Sequence, residues 1–200
     1  VLRSHPSGSS ATLLKAHYGL GYAYYNTRQY NRALVSFNMY VERVSPDNPN
    51  YFFNDALLRF ADCQYATKNY QQAINTYERA ISAGTPEPDY CFYQMGLISN
   101  ILDKQEQSEQ YFNMVISRFP GSVLYDDALY RRAQVAFENG DYTMAIDRYS
   151  KLIETQPQSP FVPHALVDRA ISHSNLRNYE SSMRDYRNAL EAYPRHQAAN

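Results

Sequence analysis

The chain has 200 residues, with 19 basic against 20 acidic side chains and a net charge of −1, so no bulk field draws it to nucleic acid or to an anionic membrane. Hydrophobic residues make up 44%, as in folded globular chains, and no apolar run approaches the roughly 20 residues that a bilayer-spanning helix needs. Two cysteines, Cys63 and Cys91, exclude a disulfide framework and lack zinc-site spacing, although both fall in neighbouring predicted helices.

In chain order, the predicted elements come in pairs. A helix centred on Gly21 is followed by "RQYNRALVSFNMYVERVSP" (28–46), and one centred on Ala61 by "KNYQQAINTYERAISAGTP" (68–86). A third is centred on Gly96 and followed by "KQEQSEQYFNMVISRFP" (104–120). Ala133 precedes "GDYTMAIDRYSKLIETQP" (140–157), and Ala170 precedes "RNYESSMRDYRNALEAYP" (177–194). Apolar residues recur at three- and four-residue steps, the period of an amphipathic helix. A short polar break such as "ENGD" separates the members of a pair, and a proline stops the second. The five small residues lie 40, 35, 37 and 37 residues apart, so one unit is written five times.

The units are predicted at about 11–50, 51–89, 90–122, 123–160 and 161–200. Residues 1–10 are either the end of a preceding unit, with Pro6 in the terminal proline position, or a tail. "YPRHQAAN" at the other end is similar to the start of another unit, and the chain is expected to be part of a longer protein. Helices of about 14 residues are only about 20 Å long, so each pair must stack on its neighbours to bury enough surface. Within a pair, Gly21, Ala61, Gly96, Ala133 and Ala170 are expected to face Ala33, Ala73, Ser108, Ala145 and Ser182. Small side chains on both sides let helix axes approach to roughly 8–10 Å. Four residues on, Phe37, Tyr77, Phe112, Tyr149 and Tyr186 are placed to fill the gap between helices.

This pattern resembles the tetratricopeptide repeat: a small residue in helix A, Tyr at the head of helix B, Ala early in B, an aromatic four later, then Pro. The resemblance covers nearly the whole chain and implies an all-α, right-handed solenoid of tandem helix–turn–helix repeats. The spacing exceeds the usual 34 residues. With Pro-x-Ser junctions (Pro120, Pro157) and Ala-Leu pairs (Ala128-Leu129, Ala165-Leu166), the variant resembles repeats of bacterial cell-envelope proteins, among them outer-membrane assembly lipoproteins and Tol–Pal accessory proteins. That likeness implies an envelope, periplasmic setting. Departures are Arg132 and Arg169 at an apolar position, Tyr40 at a small-to-apolar one, and Gln105 where the other units have Tyr.

In this family the A helices line a concave groove. Its register places Lys15, Tyr18, Tyr22 and Tyr25 there from the first unit, and Asp55, Leu58, Asp62 and Tyr65 from the second. The third contributes Tyr90, Tyr93, Leu97 and Asn100, and the fourth Asp127, Tyr130, Gln134, Phe137 and Glu138. The chain has 20 tyrosines and no tryptophan, and the framework does not call for these groove tyrosines. Tyrosine offers contact area and a polar tip with few rotors to freeze, which suits an interface. Alternatively, the rings pack on one another and stiffen the array. The carboxylates are expected to favour a basic or neutral ligand.

No phosphate-binding loop, dinucleotide fingerprint, nucleophile elbow or zinc-protease motif occurs, and the five histidines are scattered. No catalytic residue, metal or cofactor is therefore expected. Arginines near 131–148 are interleaved with Asp126, Asp127, Asp141 and Asp147, so no basic stripe for nucleic acid forms. The expected function is a non-enzymatic protein-interaction scaffold that binds a peptide or helical segment of a protein partner. The alternative is a structural spacer or a module self-associating through its terminal repeats.

Overall fold

The computed structural model describes residues 9–44 and 51–197, with side chains described over 11–44 and 52–192. Pro6 and residues 198–200 lie outside it. Among the described residues ten helices follow one another: α1 (Ser9–Asn26), α2 (Tyr30–Val41), α3 (Tyr51–Ala66), α4 (Tyr70–Ser82), α5 (Pro88–Ile101), α6 (Gln105–Arg118), α7 (Tyr125–Glu138), α8 (Tyr142–Thr155), α9 (Val162–Asn175) and α10 (Tyr179–Gln197). No strand occurs among the described residues. The fold is all-α, built of the helix–turn–helix repeats of the α-solenoid class that the sequence implies, with odd-numbered helices as A and even-numbered as B. Residues 1–98 form one compact unit and 99–200 another, with α5 running into both.

In the first unit α1 packs on α2, α2 on α3, and α3 on α4. In the second, α6 to α10 pack in chain order in the same way. The small residues sit where they were expected. Ala61, Ala133 and Ala170 are fully buried, as are Ala33, Ala73, Ser108 and Ala145. Gly21 has no room for a side chain: a Cβ there would lie 2.7 Å from Cε1 of the Phe37 ring. Phe37, Tyr77, Phe112 and Tyr149 fill the helix–helix gaps at 1% exposure or less. Tyr186, the fifth of the set, is 40% exposed.

Every A-to-B turn uses one backbone device. Arg28, Lys68, Asp103, Gly140 and Arg177 all adopt positive φ, between 58° and 75°. At each, the residue's N–H bonds the carbonyl three back and the next N–H bonds the carbonyl five back, as in Lys68 to Tyr65 and Asn69 to Gln64. This is the Schellman ending, in which a left-handed residue closes the helix and satisfies its last carbonyls. Four of the five copies place a side chain in a region that costs L-residues roughly 1–2 kcal/mol. Replacing Lys68 with glycine is therefore expected to raise stability by about 1 kcal/mol, and Gly140→Ala to lower it similarly. Urea unfolding followed by circular dichroism measures both.

The Pro-x-Ser junctions start the next A helix. Ser122 Oγ accepts from the Leu124 N–H at 3.0 Å, and Ser159 Oγ from the Phe161 N–H at 3.3 Å. Proline follows the ends of α4, α6 and α8, as expected. Pro194 departs from the rule, because α10 continues through it to Gln197. A proline there removes one hydrogen bond, to the carbonyl of Leu190, in a stretch where the Leu190 side chain is 75% exposed and water is at hand.

Candidate functional site

Three- and four-residue spacing puts Lys15, Tyr18, Tyr22 and Tyr25 on one face of α1, and Asp55, Arg59 and Asp62 on one face of α3. The two faces meet. Tyr18 and Tyr22 both donate to Oδ2 of Asp55, at 2.7 and 2.5 Å. Tyr25 donates to Oδ2 of Asp62 at 3.2 Å, and the same oxygen accepts from Arg59 Nη1 at 2.5 Å. Oδ1 of Asp62 accepts from Tyr77 at 2.6 Å and from Tyr90 at 2.8 Å. Asp62 is 7% exposed, so a buried carboxylate is held by three phenols and a guanidinium drawn from α1, α3, α4 and α5. Such a charge persists in a low-dielectric setting only when its lone pairs are satisfied in this way.

The rings form a cluster above these bonds. Tyr18 lies 5.1 Å from Tyr22 and 5.4 Å edge-on from Phe52, which is 53% exposed. Arg59 sits 5.7 Å over the Tyr25 ring. Burial, and then the hydrogen bond to Asp55, pushes the Tyr22 phenol up to about 12. Tyr18, Tyr77 and Tyr90 move further in the same direction, with burial first and Asp55 or Asp62 next. All of them stay neutral donors at ordinary pH.

The second unit repeats the theme with different residues. Tyr130 stacks on Phe161 at 5.4 Å and donates to Asp168 Oδ2 at 2.8 Å, where Tyr149 also donates at 3.3 Å. Arg131 joins Asp127 (3.1 Å) to Gln134 (2.9 Å). Asn100 donates to Glu138 at 3.0 Å.

The structure thus brings Tyr18, Tyr22 and Asp55 together, then Tyr25, Asp62 and Tyr90, then Asp127, Tyr130 and Gln134. Lys15 is exposed. Tyr65 and Phe137 pack on Tyr70 and Tyr142 at the helix turns, with centroids 6.0 and 5.8 Å apart. Four expected placements need correction. Asp62, Tyr93 and Tyr130 were placed on an open groove but are buried, at 7, 6 and 9% exposure, and Leu58 is buried at 1%. For Asp62 on α3 and Tyr130 on α7 the reason is that A helices of neighbouring repeats also touch one another, α1 with α3 and α7 with α9, and enclose side chains at that edge. The division into framework and groove tyrosines dissolves as well, because framework residues Tyr77 and Tyr149 share carboxylates with Tyr90 and Tyr130.

Phe52, Arg59 and Asp168 were not anticipated. A signal for the carboxylates was present: Asp55 lies 37 residues after Tyr18, Asp62 lies 37 after Tyr25, and Asp168 lies 38 after Tyr130. Each offset is about one repeat length, which sets the two side chains side by side on adjacent A helices. Cys63 and Cys91 are buried free thiols, and burial followed by the Asp62 charge pushes both up to about 12, away from reactive thiolate chemistry. No group of three metal-ligating side chains occurs among the described residues, and none of their helices is long and apolar enough to cross a membrane.

The family model described as Tetratricopeptide repeat matches residues 15–47, 55–83 and 127–159. No curated protein matches the chain. Among solved structures, the chain is similar to MamA protein at 16% identity, covering 90% of this chain and 92% of that one, with a TM-score of 0.75. A tetratricopeptide repeat protein from Parabacteroides merdae aligns at 20% identity and a TM-score of 0.75, over 92% of this chain and 68% of its own. YrrB, described as a TPR protein with an unusual peptide-binding site, aligns at 15% identity, over 90% and 87% of the two chains, with a TM-score of 0.67.

Proposed function

We propose that this chain, by its likeness to tetratricopeptide-repeat proteins, is a protein-interaction scaffold whose recognition surface is the α1–α3 face. The observation that carries this reading is the aromatic cluster of the first unit. Tyr18 and Tyr22 have their hydroxyls fixed on Asp55 while their rings stay half-exposed beside Phe52, itself 53% exposed. Rings already held in place lose little entropy when a partner covers them. Asp55 and Asp62 are occupied by the chain's own tyrosines and Arg59, so they do not select a basic ligand. Lys15, one turn before Tyr18, is the exposed charge on that face of α1. The partner is accordingly a peptide or helical segment, neutral or acidic, presenting an apolar or aromatic side chain. YrrB's described peptide-binding site is a precedent in the same fold. An envelope setting rests on the resemblance of the long, Pro-x-Ser-joined repeats to those of envelope proteins.

Peptides selected on the chain from a displayed library test the proposal. Phe52→Ala with Lys15→Ala is expected to weaken the best binder at least tenfold, read by fluorescence anisotropy, with circular dichroism checking that the fold is kept, since Phe52 also packs edge-on against Tyr18. Equal binding by the two proteins sinks it.

A second reading has its own observation. Tyr25 and Tyr90 reach Asp62 from helices on either side of α3, so the phenol–carboxylate bonds also tie repeats together within the first unit. On this reading the tyrosines stiffen a spacer, and peptide binding is absent.

A further inference from the structure

The last turn of α9 holds a histidine that the recognition surface does not use. The side chain of His173 is 17% exposed, one turn beyond Arg169. Its Nε2 faces Asp185 of α10 at 3.9 Å, beyond hydrogen-bonding reach. Both oxygens of that carboxylate are already taken by Arg169, whose Nε and Nη2 donate to them at 2.7 Å each. Nδ1 of His173 is shut off from solvent and has no hydrogen-bond partner among the described residues.

This geometry decides which form of the ring the fold accepts. A neutral imidazole carries one N–H and one lone pair. The carboxylate draws the proton to Nε2, which leaves a lone pair on the buried Nδ1. The second proton, the one that makes the cation, must go to Nδ1, where no acceptor meets it. Among the described residues, the charges that act on the ring are Asp185 and Arg184 of α10 and Arg169 of α9. Neither α7 nor α8, which also pack on α9, brings a charge to it; α8 offers the Ser150 hydroxyl, which takes Arg169 Nη1 at 2.8 Å. Protonation therefore gathers three cations about one carboxylate that is already paired. The end of α9 offers little in return, because its last carbonyls, that of His173 among them, already accept from Leu176, Arg177 and Asn178. Burial, opposed by Asp185 and aided by Arg169 and Arg184, holds the imidazole below its ordinary value of 6.5.

We infer that the α9–α10 pair is an acid-sensitive joint: when His173 takes its second proton, α10 loosens from α9. The opened chain has the ordinary affinity for that proton and the closed one a lower affinity, so acid favours opening. The contribution of the neutral ring is full above about pH 6.5 and is lost as pH falls through the closed-state value. Carboxylates titrate lower, near pH 4, so just below pH 6.5 the histidines are the groups that change charge. The joint lies in the second unit and uses nothing of the α1–α3 face, so it stands whether or not that face binds a peptide.

Hydrogen exchange read by mass spectrometry on the 200-residue chain, at about pH 7.5 and about pH 5 and corrected for the intrinsic pH dependence, tests it beside a His173→Gln variant. In the parent, protection across α10 is expected to fall several-fold at the lower pH, while α4, which has no histidine, keeps its protection. Glutamine cannot take the charge, so in His173→Gln the protection of α10 is expected to be the same at both pH values. A magnetic-resonance titration of His173 in the folded parent does not depend on how the variant folds, and its midpoint is expected below 6.5. Protection of α10 that acid leaves unchanged in the parent overturns the inference. So does an equal loss in His173→Gln, a loss shared equally by α4, or a His173 midpoint at or above the ordinary value.

Discussion

Asp62→Ala is expected to destabilise the first unit by about 3–5 kcal/mol, the cost of stripping one partner from a buried charged network. The substitution leaves the Arg59 guanidinium, whose side chain is 20% exposed, without its 2.5 Å partner, and leaves Tyr25, Tyr77 and Tyr90 without an acceptor. Asp62→Asn is expected to cost less, since its carbonyl oxygen still accepts from two phenols while its amide faces the Arg59 side with the wrong polarity. Circular dichroism melts and urea unfolding measure both.

Buried phenols and thiols of the same unit set an alkaline limit. Burial pushes the Tyr22 phenol and the Cys63 and Cys91 thiols up to about 12 in the folded chain, from ordinary values of 10.0 for tyrosine and 9.0 for cysteine. A folded-state value above the unfolded one means that the unfolded chain sheds its proton first. These groups contribute their full stability below about pH 9 and lose it as pH rises toward 12. Melting temperature is therefore expected to fall across that window, in step with the appearance of phenolate absorbance. A flat profile through it contradicts the assignment.

The second large effect lies at the far end of the chain. Asp185, 3% exposed, takes a bidentate bond from Arg169, with both distances 2.7 Å, and Arg169 Nη1 also donates to Ser150 at 2.8 Å. Asp185→Ala is expected to cost about 3–5 kcal/mol by leaving a largely buried guanidinium unpaired. Arg169→Met with Asp185→Leu is expected to stay within about 1 kcal/mol of the parent or exceed it, because two desolvation costs vanish together. If the double variant is as unstable as the single one, packing at this site matters more than charge. In the preceding repeat, Arg132 holds the place of Arg169 but meets Arg148, and both turn to Glu109 of α6. The arginines at an otherwise apolar position are thus explained repeat by repeat through the acid within reach.

Much of this architecture was legible because it is steric. A small residue facing another, followed by a large ring, recurs wherever two helices must come close, and Gly21 against Phe37 shows how little room there is. The Pro-x-Ser junctions were legible too, since proline stops one helix and the serine oxygen helps to begin the next. The turns were not. Only Gly140 advertises a left-handed residue, while Arg28, Lys68, Asp103 and Arg177 adopt it under the demand of the helix ends on both sides. The site was half legible. Register put Tyr18, Tyr22 and Asp55 on facing helices, but it did not reveal that contact between neighbouring A helices buries Asp62 and Tyr130. That enclosure depends on neighbours one repeat away, and only the recurrence of a tyrosine and an aspartate one repeat length apart hints at it.

The most direct test of the interaction surface is site-specific photo-cross-linking to a selected peptide. A benzoylphenylalanine in place of Phe52 probes the α1–α3 face, and one in place of Val35, 62% exposed on α2, serves as the comparison. A peptide adduct is expected at position 52 and none at 35. An adduct at 35 without one at 52 contradicts it and moves recognition to the B-helix side.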